Sequence, residues 1–134
     1  MGHNEIVTIA LEEIRKTFPS VQGVYLFGSF AKAEENSESD LDLALLLDRP
    51  ANTITLWNVA QNIAVRIQRD VDLIDLLTAS TVLRFQIISS AKRIDHQNFK
   101  SCDSFEDLSW AMYLRLNEER KEILSDIENR GRIY

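Results

Sequence analysis

The apolar residues of this chain recur at helical spacing in four segments. Residues 5–17 carry apolar side chains three and four positions apart, which predicts an amphipathic helix that Pro19 ends. The same spacing over residues 53–69 predicts a second helix, and residues 79–91 are predicted to form another. A long helix is predicted from Phe105 to Gly131, where glycine is a suitable stop.

Short apolar runs between these helices predict strands. Residues 23–27, Leu41–Leu47 and Val71–Leu76 are compact runs rich in strand-forming side chains. Arg93–Asn98 is predicted to be a last, edge strand, and Phe30–Glu35 a short helical segment. Because helices alternate with strands, we expect an α/β layer sandwich.

Length and composition favour one soluble domain that covers residues 1–134. The hydrophobic fraction is 45%, and a chain of 134 residues can bury a core without disulfides. The single cysteine, Cys102, excludes an intramolecular disulfide and a cysteine-rich zinc site, and we expect an ordinary thiol. The start of the chain lacks the basic region of a signal peptide, so we expect a cytoplasmic protein.

The charge balance bears on the ligands that the chain can bind. The net charge is −6, from 21 acidic and 15 basic residues, and no run of Lys and Arg is present. A general DNA or RNA binder needs a basic face, so this class is disfavoured. An acidic protein can still bind a polyanion such as ATP when divalent cations neutralise both partners.

Gly28 and Ser29 are the first candidates for chemistry. They follow a predicted strand and open a helical segment, where free backbone N–H groups can bind phosphate. Gly28 has no side chain to hold a phosphate away, and the Ser29 hydroxyl adds a donor. Taken alone, a glycine–serine pair after a strand more often forms a structural turn.

Asp40 and Asp42 strengthen the functional interpretation. Residues two apart in a strand point to the same face, so the two carboxylates lie side by side while Leu41 turns into the core. Two carboxylates held this close need a cation or a raised pKa, and oxygen ligands suit Mg²⁺ or Mn²⁺. A turn cap is the structural alternative, and it explains Asp40 but not Asp42.

A third carboxylate comes from the Val71–Leu76 strand. Asp72 and Asp75 lie on opposite faces of this strand, so at most one can join the pair. We assign Asp72 to the site, and we expect Asp75 to cap the following turn. Three carboxylates around two cations form a two-metal site in which Asp72 binds the second metal and can act as general base.

The spacing of these residues resembles a known signature. Gly28-Ser29, ten residues and then Asp40-Leu41-Asp42 match the G-S-x10-D-x-D pattern of the DNA polymerase β-like nucleotidyltransferase superfamily. Within it, the chain is similar to the minimal nucleotidyltransferases (MNT) of toxin–antitoxin pairs with HEPN-domain ribonucleases. The resemblance implies a nucleotidyltransferase fold, a small mixed sheet flanked by helices with a long C-terminal helix.

The resemblance also implies an activity. Gly28 and Ser29 bind the triphosphate of ATP, and Asp40, Asp42 and Asp72 are the metal-binding and catalytic residues, with two Mg²⁺ ions. The resemblance implies transfer of AMP to a tyrosine hydroxyl of the HEPN partner, which silences that toxin. Family members often have Ala-Arg-Gly after the phosphate loop, whereas this chain has Ala31-Lys32-Ala33. Lys32 is a further nucleotide-binding candidate, but it lacks the fork of arginine.

Other conspicuous residues have simpler interpretations. Arg49 follows the second predicted strand, and this position favours a role in the turn over a contact with phosphate. His96 is most simply a surface histidine. Trp57 and Trp110 lie on apolar helical stripes, which favours core or interface positions over stacking on a base. The charge-rich segment 117–132 is most simply a solvated helix face, with a partner surface as the alternative.

Three rival functions remain at this point. The chain can be an antitoxin that acts by steric binding alone, although clustered carboxylates have no use in such a protein. It can be a small-molecule nucleotidyltransferase of the antibiotic-modifying type, but 134 residues leave no space for the extra substrate domain. A template-directed polymerase is the least favoured, because the basic channel is missing.

Overall fold

The computed structural model describes residues 1–36 and 38–131, with the backbone alone at residues 130 and 131. Helices and strands alternate within this range, as the sequence predicts. Their bounds are α1 His3–Thr17, β1 Gly23–Phe27, α2 Gly28–Ala31, β2 Leu41–Leu46, α3 Thr53–Ile67, β3 Val71–Asp75, α4 Thr81–Ser90, β4 Lys92–Asp95 and α5 Phe99–Gly131.

The four strands of the described residues form one mixed sheet in the order β3-β2-β1-β4. β1 pairs antiparallel with β2 and with β4, whereas β2 pairs parallel with β3. The predicted edge strand is confirmed as β4, although it is shorter than expected. The register pairs Phe27 with Asp42 and Asp42 with Asp72, so the end of β1 meets the beginnings of β2 and β3.

One face of the sheet packs against α1 and α3. Ile6, Ala10 and Ile14 of α1 are fully buried, which confirms the predicted stripe of the first helix. They share a core with Leu41 and Ile63 and with further residues of β2 and α3. The inward orientation predicted for Leu41 is therefore confirmed, and the neighbouring position 42 faces away from this core.

The opposite face packs against α4 and α5. Tyr25 and Cys102 belong to this second cluster, together with Leu76, Ile87 and Phe105. Cys102 is a free, buried thiol, as expected. It lies so close to β1 that a β-carbon on Gly23 would come within 2.5 Å of its sulfur. Position 23 therefore has no space for a side chain while Cys102 is in place.

Two predicted helical segments begin or end at other residues than the apolar spacing indicates. α5 begins at Phe99 rather than at Phe105, because the side-chain oxygen of Asn98 accepts a hydrogen bond from the Ser101 N–H at 3.1 Å. The predicted helical segment after Gly28 was also misplaced. α2 begins at Gly28 and ends at Ala31, because Ala33 adopts a left-handed φ of 54°.

Several residues of the predicted apolar stripes are exposed. Trp57 in α3 is 61% exposed and Trp110 in α5 is 44% exposed, so a core position is wrong for both. Ile54 and Leu108 are also exposed, and residues 118–129 of α5 are exposed throughout. No helix in the described part of the chain is long and apolar enough to cross a membrane.

Candidate active site

The turn at Gly28 is built directly against Asp42. Gly28 has a φ of 71°, a conformation that glycine adopts without strain. A β-carbon at this position would lie 3.2 Å from Cγ of Asp42 and closer still to its carboxylate oxygen Oδ2. The predicted phosphate turn and the predicted metal ligand are therefore in contact. α2 has only four residues, so its dipole is small and the turn offers mainly free N–H groups and the Ser29 hydroxyl.

The three predicted carboxylates lie at one end of the sheet. Asp42 and Asp72 are register partners on neighbouring parallel strands, which lie about 4.8 Å apart. Register partners in parallel strands point to the same face, so Asp42 and Asp72 share a face, and Asp40 lies just before the start of β2. Asp40 and Asp72 are exposed, and Asp42 is half-buried between them. The charges of Asp72 and Asp40 both act on Asp42, and a site shared by all three carboxylates stays a prediction.

Burial and two acidic neighbours change the pKa of Asp42. Burial raises the pKa of Asp42 above its ordinary value, and the negative charges of Asp72 and Asp40 raise it further. An ionised Asp42 is thus costly in the folded protein unless a proton or a cation compensates its charge. This is the environment in which a divalent cation is bound most favourably.

The carboxylates do not by themselves form a complete set of metal ligands. Among the described residues, no group of three or more acidic, histidine or cysteine side chains is arranged to hold a metal ion. Mg²⁺ characteristically uses one or two carboxylates and takes its other ligands from water and substrate phosphates. The oxygen-only donor set of Asp40, Asp42 and Asp72 fits such an ion when a triphosphate supplies the rest.

Asp75 has the structural role that the sequence predicts. Its Oδ1 accepts a hydrogen bond from the Leu77 N–H at 3.0 Å, and its Oδ2 accepts one from the Ala51 N–H at 2.9 Å. The residue is 6% exposed. Asp75 therefore caps the turn after β3 and takes no part in the carboxylate site.

Two cavities lie along α3, each with one of the predicted carboxylate residues in its lining. A cavity of about 450 Å³ is lined by Asp40 together with Glu38, Val65 and Arg69. Another of about 230 Å³ is lined by Asp72 together with Trp57, Thr53 and Gln61. Both cavities are also lined by residues of α3, and Asp42 lines neither of them.

Arg69 is a site residue that the sequence analysis missed. Its Nη1 donates hydrogen bonds to the carbonyl oxygens of Asn36 and Ser39 at 2.5 and 3.1 Å. The guanidinium group also lies 5.2 Å from the centre of the Phe30 ring. Arg69 therefore ties the segment before Asp40 to the end of α3. No local pattern identifies it, because its partners lie about 30 residues earlier in the chain.

A second contact holds the same segment from the other side. Nδ1 of His3 pairs with Glu35, and the His3 ring lies 5.5 Å from the Phe30 ring. The bond from His3 lowers the pKa of Glu35. The start of α1 and the end of α3 thus both brace the residues between Ser29 and Asp40.

The remaining sequence candidates lie elsewhere or make no contact in the site. Lys32 is exposed at the end of α2. Arg49 follows the far end of β2 and lies 3.8 Å from Asp48, in agreement with a role in the turn. His96 is exposed after β4, and its ring lies 4.1 Å from the ring of Phe99.

Comparison with known proteins identifies the class. The family model described as polymerase beta, nucleotidyltransferase matches residues 10–100, and the chain belongs to this family. It is 32% identical over 127 residues to the protein adenylyltransferase MntA of Shewanella oneidensis, covering 95% of this chain and 88% of MntA.

Solved structures of MNT antitoxins share the fold over nearly the whole chain. A toxin–antitoxin structure with AMP-PNP matches with a TM-score of 0.78 at 32% identity, covering 95% of this chain and 98% of that chain. A structure of a tri-AMPylated HEPN toxin of Shewanella oneidensis in complex with its MNT antitoxin matches with a TM-score of 0.79 at 30% identity, covering 94% and 98%. The predicted nucleotidyltransferase fold, with its small mixed sheet and long C-terminal helix, is confirmed.

Proposed function

We propose that this nucleotidyltransferase transfers AMP from ATP to a tyrosine hydroxyl of a HEPN-domain RNase toxin and thereby acts as its antitoxin. The observation that carries the proposal is the position of Asp42, which contacts the Gly28 turn on one side and is the register partner of Asp72 on the other. Phosphate-binding and acidic groups thus meet at one point, as transfer of a nucleotidyl group requires.

The relatives support the substrate and the partner. MntA is a protein adenylyltransferase, one related structure contains AMP-PNP, and another contains a tri-AMPylated HEPN toxin. The match covers 95% of this chain. ATP and an RNase toxin are both found in the cytoplasm, so we place the protein there.

Each site residue has a distinct role in the proposed reaction. The Gly28 turn and the Ser29 hydroxyl donate hydrogen bonds to the triphosphate, and Lys32 is near enough in sequence to approach it. Asp40 and Asp42 would hold two Mg²⁺ ions, and Asp72 would hold one of them. When bound, these ions neutralise the phosphates and lower the pKa of the attacking hydroxyl.

The proposed step conserves atoms and charge. The acceptor oxygen forms a bond to the α-phosphorus of ATP while the bond between the α-phosphorus and the bridging oxygen breaks. Pyrophosphate leaves with the electron pair of that bond, and Asp72 accepts the hydroxyl proton as general base. The product is an AMP ester on the toxin.

Labelling of the toxin tests the proposed function. The protein is incubated with Mg²⁺, ATP labelled on the α-phosphate and the HEPN-domain protein encoded beside it, here called the partner toxin. We expect label on the partner toxin with the wild type and with Asp48→Ala, a control at the far end of β2. Asp42→Ala should lose the reaction by several orders of magnitude. Full labelling by Asp42→Ala would contradict the catalytic role assigned to Asp42.

The same experiment separates catalysis from steric neutralisation. α5 presents exposed apolar residues, among them Leu114, Ile123 and Leu124, which favour a protein contact independent of ATP. If the wild type neutralises the partner toxin equally well without ATP, and no label is transferred, the antitoxin acts by binding alone. If the partner toxin is silenced only when ATP is present, the result supports neutralisation by AMP transfer.

A further inference from the structure

We infer that the C-terminal part of α5 is the docking surface for the partner toxin, through exposed apolar side chains that enter an apolar groove of that protein. Residues 118–129 are here called the arm, and Ile123, Leu124 and Ile127 are called the arm stripe. The inference rests on the proposed function, which supplies the partner, and it adds the surface by which the partner is held. This surface lies outside the glycine–serine turn and the three carboxylates.

The arm stripe continues the buried side of α5. The first half of α5 packs on the body of the protein through buried residues, among them Phe105 and Ser109. An α-helix has about 3.6 residues per turn, so positions 18 apart lie on the same side of the helix, five turns later. Ile123 lies 18 residues after Phe105, and Ile127 lies 18 residues after Ser109. The side of α5 that is buried in its first half therefore stays apolar in the arm.

The arm stripe is uncovered in the described part of the chain. Residues 118–129 are exposed throughout, at the end of a helix of 33 residues. Ile123 is 58% exposed, Leu124 is 65% exposed and Ile127 is 61% exposed. Most of the stability of a helix in a protein comes from packing of its apolar face, and neighbouring exposed apolar side chains mark sites of protein interaction. We therefore expect another protein to cover the arm stripe.

Charge favours the partner toxin over a second copy of this chain. The net charge is −6, so two copies repel each other. An RNase must bind RNA, and RNA-binding proteins carry a basic face that attracts an acidic partner.

The solved relatives favour the same occupant. The toxin–antitoxin structure with AMP-PNP matches 95% of this chain. The unmatched remainder is about 7 of the 134 residues, which is shorter than the arm, so the match extends into the arm. An amphipathic helix whose anchors lie three and four residues apart, as Leu124 and Ile123 do from Ile127, is typical of recognition in an apolar groove.

Calorimetric titration with the partner toxin, without ATP or Mg²⁺, provides the first test. We expect Ile123→Gln with Ile127→Gln to raise the Kd at least about thirtyfold, the effect of losing residues that dominate an interface. Glutamine keeps the net charge and is a better helix former than isoleucine, so the arm stays helical. Ser125→Gln with Asn129→Gln is the matched control. This pair has the same spacing on the opposite side of the helix, and it should leave the Kd unchanged.

Photocrosslinking provides a second test that does not depend on a loss of affinity. Leu124→p-benzoylphenylalanine should crosslink to the partner toxin on irradiation. Glu122→p-benzoylphenylalanine should crosslink far less, because positions two apart lie on nearly opposite sides of a helix. Equal crosslinking from both positions would contradict a contact through the arm stripe.

The outcomes distinguish this inference from the proposed function. If the wild type labels the partner toxin and the Ile123→Gln/Ile127→Gln variant binds it with the wild-type Kd, the inference is wrong and the transferase stands. If the chain alone is a dimer in sedimentation, and this variant is a monomer with unchanged Kd for the toxin, a second copy covers the arm stripe and the inference is again wrong. If the variant loses toxin binding but the wild type transfers no label, the docking surface stands and the proposed transfer fails.

Discussion

Gly28 and Asp42 occupy adjoining space, so that the turn backbone rests on the carboxylate with no room for a side chain between them. Gly28 directly follows Phe27, the last residue of β1, and Phe27 is the register partner of Asp42 near the beginning of β2. The contact of Gly28 with Asp42 therefore lies where these two strands meet. Because the phosphate turn and the carboxylate are held by the same pair of strands, neither can move without the other. The distance from bound phosphate to metal ligand is thereby set by the sheet.

Replacement of Gly28 by alanine tests this contact. The new β-carbon would collide with Asp42, and the φ of 71° would cost about 1–2 kcal/mol for a residue other than glycine. We expect AMP transfer to fall at least about a hundredfold, as a shift of about 1 Å in a reacting group produces. The measurement is the initial rate of label transfer to the partner toxin, with the folded state verified by circular dichroism.

Gly2→Ala is the matched control for this variant. A β-carbon at Gly2 meets no atom within 4 Å, so transfer should remain at the wild-type level. Because Gly2 is the N-cap of α1, where alanine is less favourable than glycine, the variant should lose only a little stability. Wild-type activity in Gly28→Ala would show that Asp42 has space to move and that the contact does not position it.

Ala33→Gly should stabilise the protein. Ala33 has a φ of 54°, in the left-handed region that favours glycine, and the family resemblance implies a glycine at this position. We expect the free energy of unfolding to rise by about 1 kcal/mol, because the strain exceeds the added chain entropy of glycine. Thermal or urea unfolding measures the change.

Ala111→Gly is the control in the opposite direction. Ala111 lies in the exposed part of α5, and glycine there should lower the free energy of unfolding by about 1 kcal/mol. If Ala33→Gly destabilises the protein as much as Ala111→Gly does, the left-handed conformation at position 33 is excluded.

Asp42→Asn should stabilise the protein while it removes activity. Asp42 has a raised pKa because it is partly buried and faces Asp72 and Asp40, so its ionised form costs free energy in the folded state. At pH 7 without Mg²⁺ we expect Tm to rise by a few degrees, the size produced by about 1 kcal/mol in a domain of this length. Addition of Mg²⁺ should raise Tm more in the wild type than in the variant.

The gain in Tm from Asp42→Asn should depend on pH in a direction set by the raised pKa of Asp42. Since the folded pKa is above the unfolded one, the destabilising charge appears as pH rises from the ordinary carboxyl pKa, about 3.9, through the raised value. The difference in Tm between Asp42→Asn and wild type should therefore be largest at neutral pH and vanish near pH 4. A difference that grows toward low pH would contradict the assigned repulsion.

Arg69→Ala should weaken Mg²⁺ binding, although Arg69 is not itself a proposed metal ligand. The variant loses both hydrogen bonds to the segment before Asp40, so this carboxylate is no longer held in place. We expect the Mg²⁺ concentration that gives half-maximal transfer to rise about 10- to 100-fold, as for other groups that support metal ligands. Arg69→Lys should recover part of the loss, because it can replace one of the two bonds.

Arg66→Ala provides the control for Arg69. Arg66 lies one turn earlier on α3 and pairs with Glu12 and Glu13 of α1, away from the segment that carries Asp40. Its replacement should lower Tm slightly and leave the Mg²⁺ requirement unchanged. An equal effect of both variants would assign Arg69 a role in general stability only.

The site could be predicted from sequence because its geometry is local. Alternation within a strand separates Asp72 from Asp75, and this interpretation agrees with the structure. Asp40 lies one residue before β2, so its predicted alignment with Asp42 stays a prediction. The mutual placement of the strands carries no such local signal. The resemblance, not the periodicity, indicated the mixed sheet.

The features that the sequence analysis placed wrongly or missed depend mainly on contacts between distant parts of the chain. Periodicity shows that one helix face is apolar but not whether the fold covers that face. Of the core and interface positions predicted for Trp57 and Trp110, the core position is therefore wrong, and the interface position stays a prediction. Arg69 was missed because it acts through carbonyl oxygens distant in sequence. The start of α5 has a local signal in Asn98, an N-cap residue, but Asn98 was assigned to the end of the predicted edge strand.

The most direct test of the central claim is the number of Mn²⁺ ions bound per chain in the presence of AMP-PNP, measured by electron paramagnetic resonance. If Asp40, Asp42 and Asp72 share two cations, the wild type binds two ions, Asp72→Asn binds one tightly, and Asp42→Asn loses both high-affinity ions. Two tightly bound ions in Asp72→Asn and Asp42→Asn, with wild-type affinity, would contradict the account.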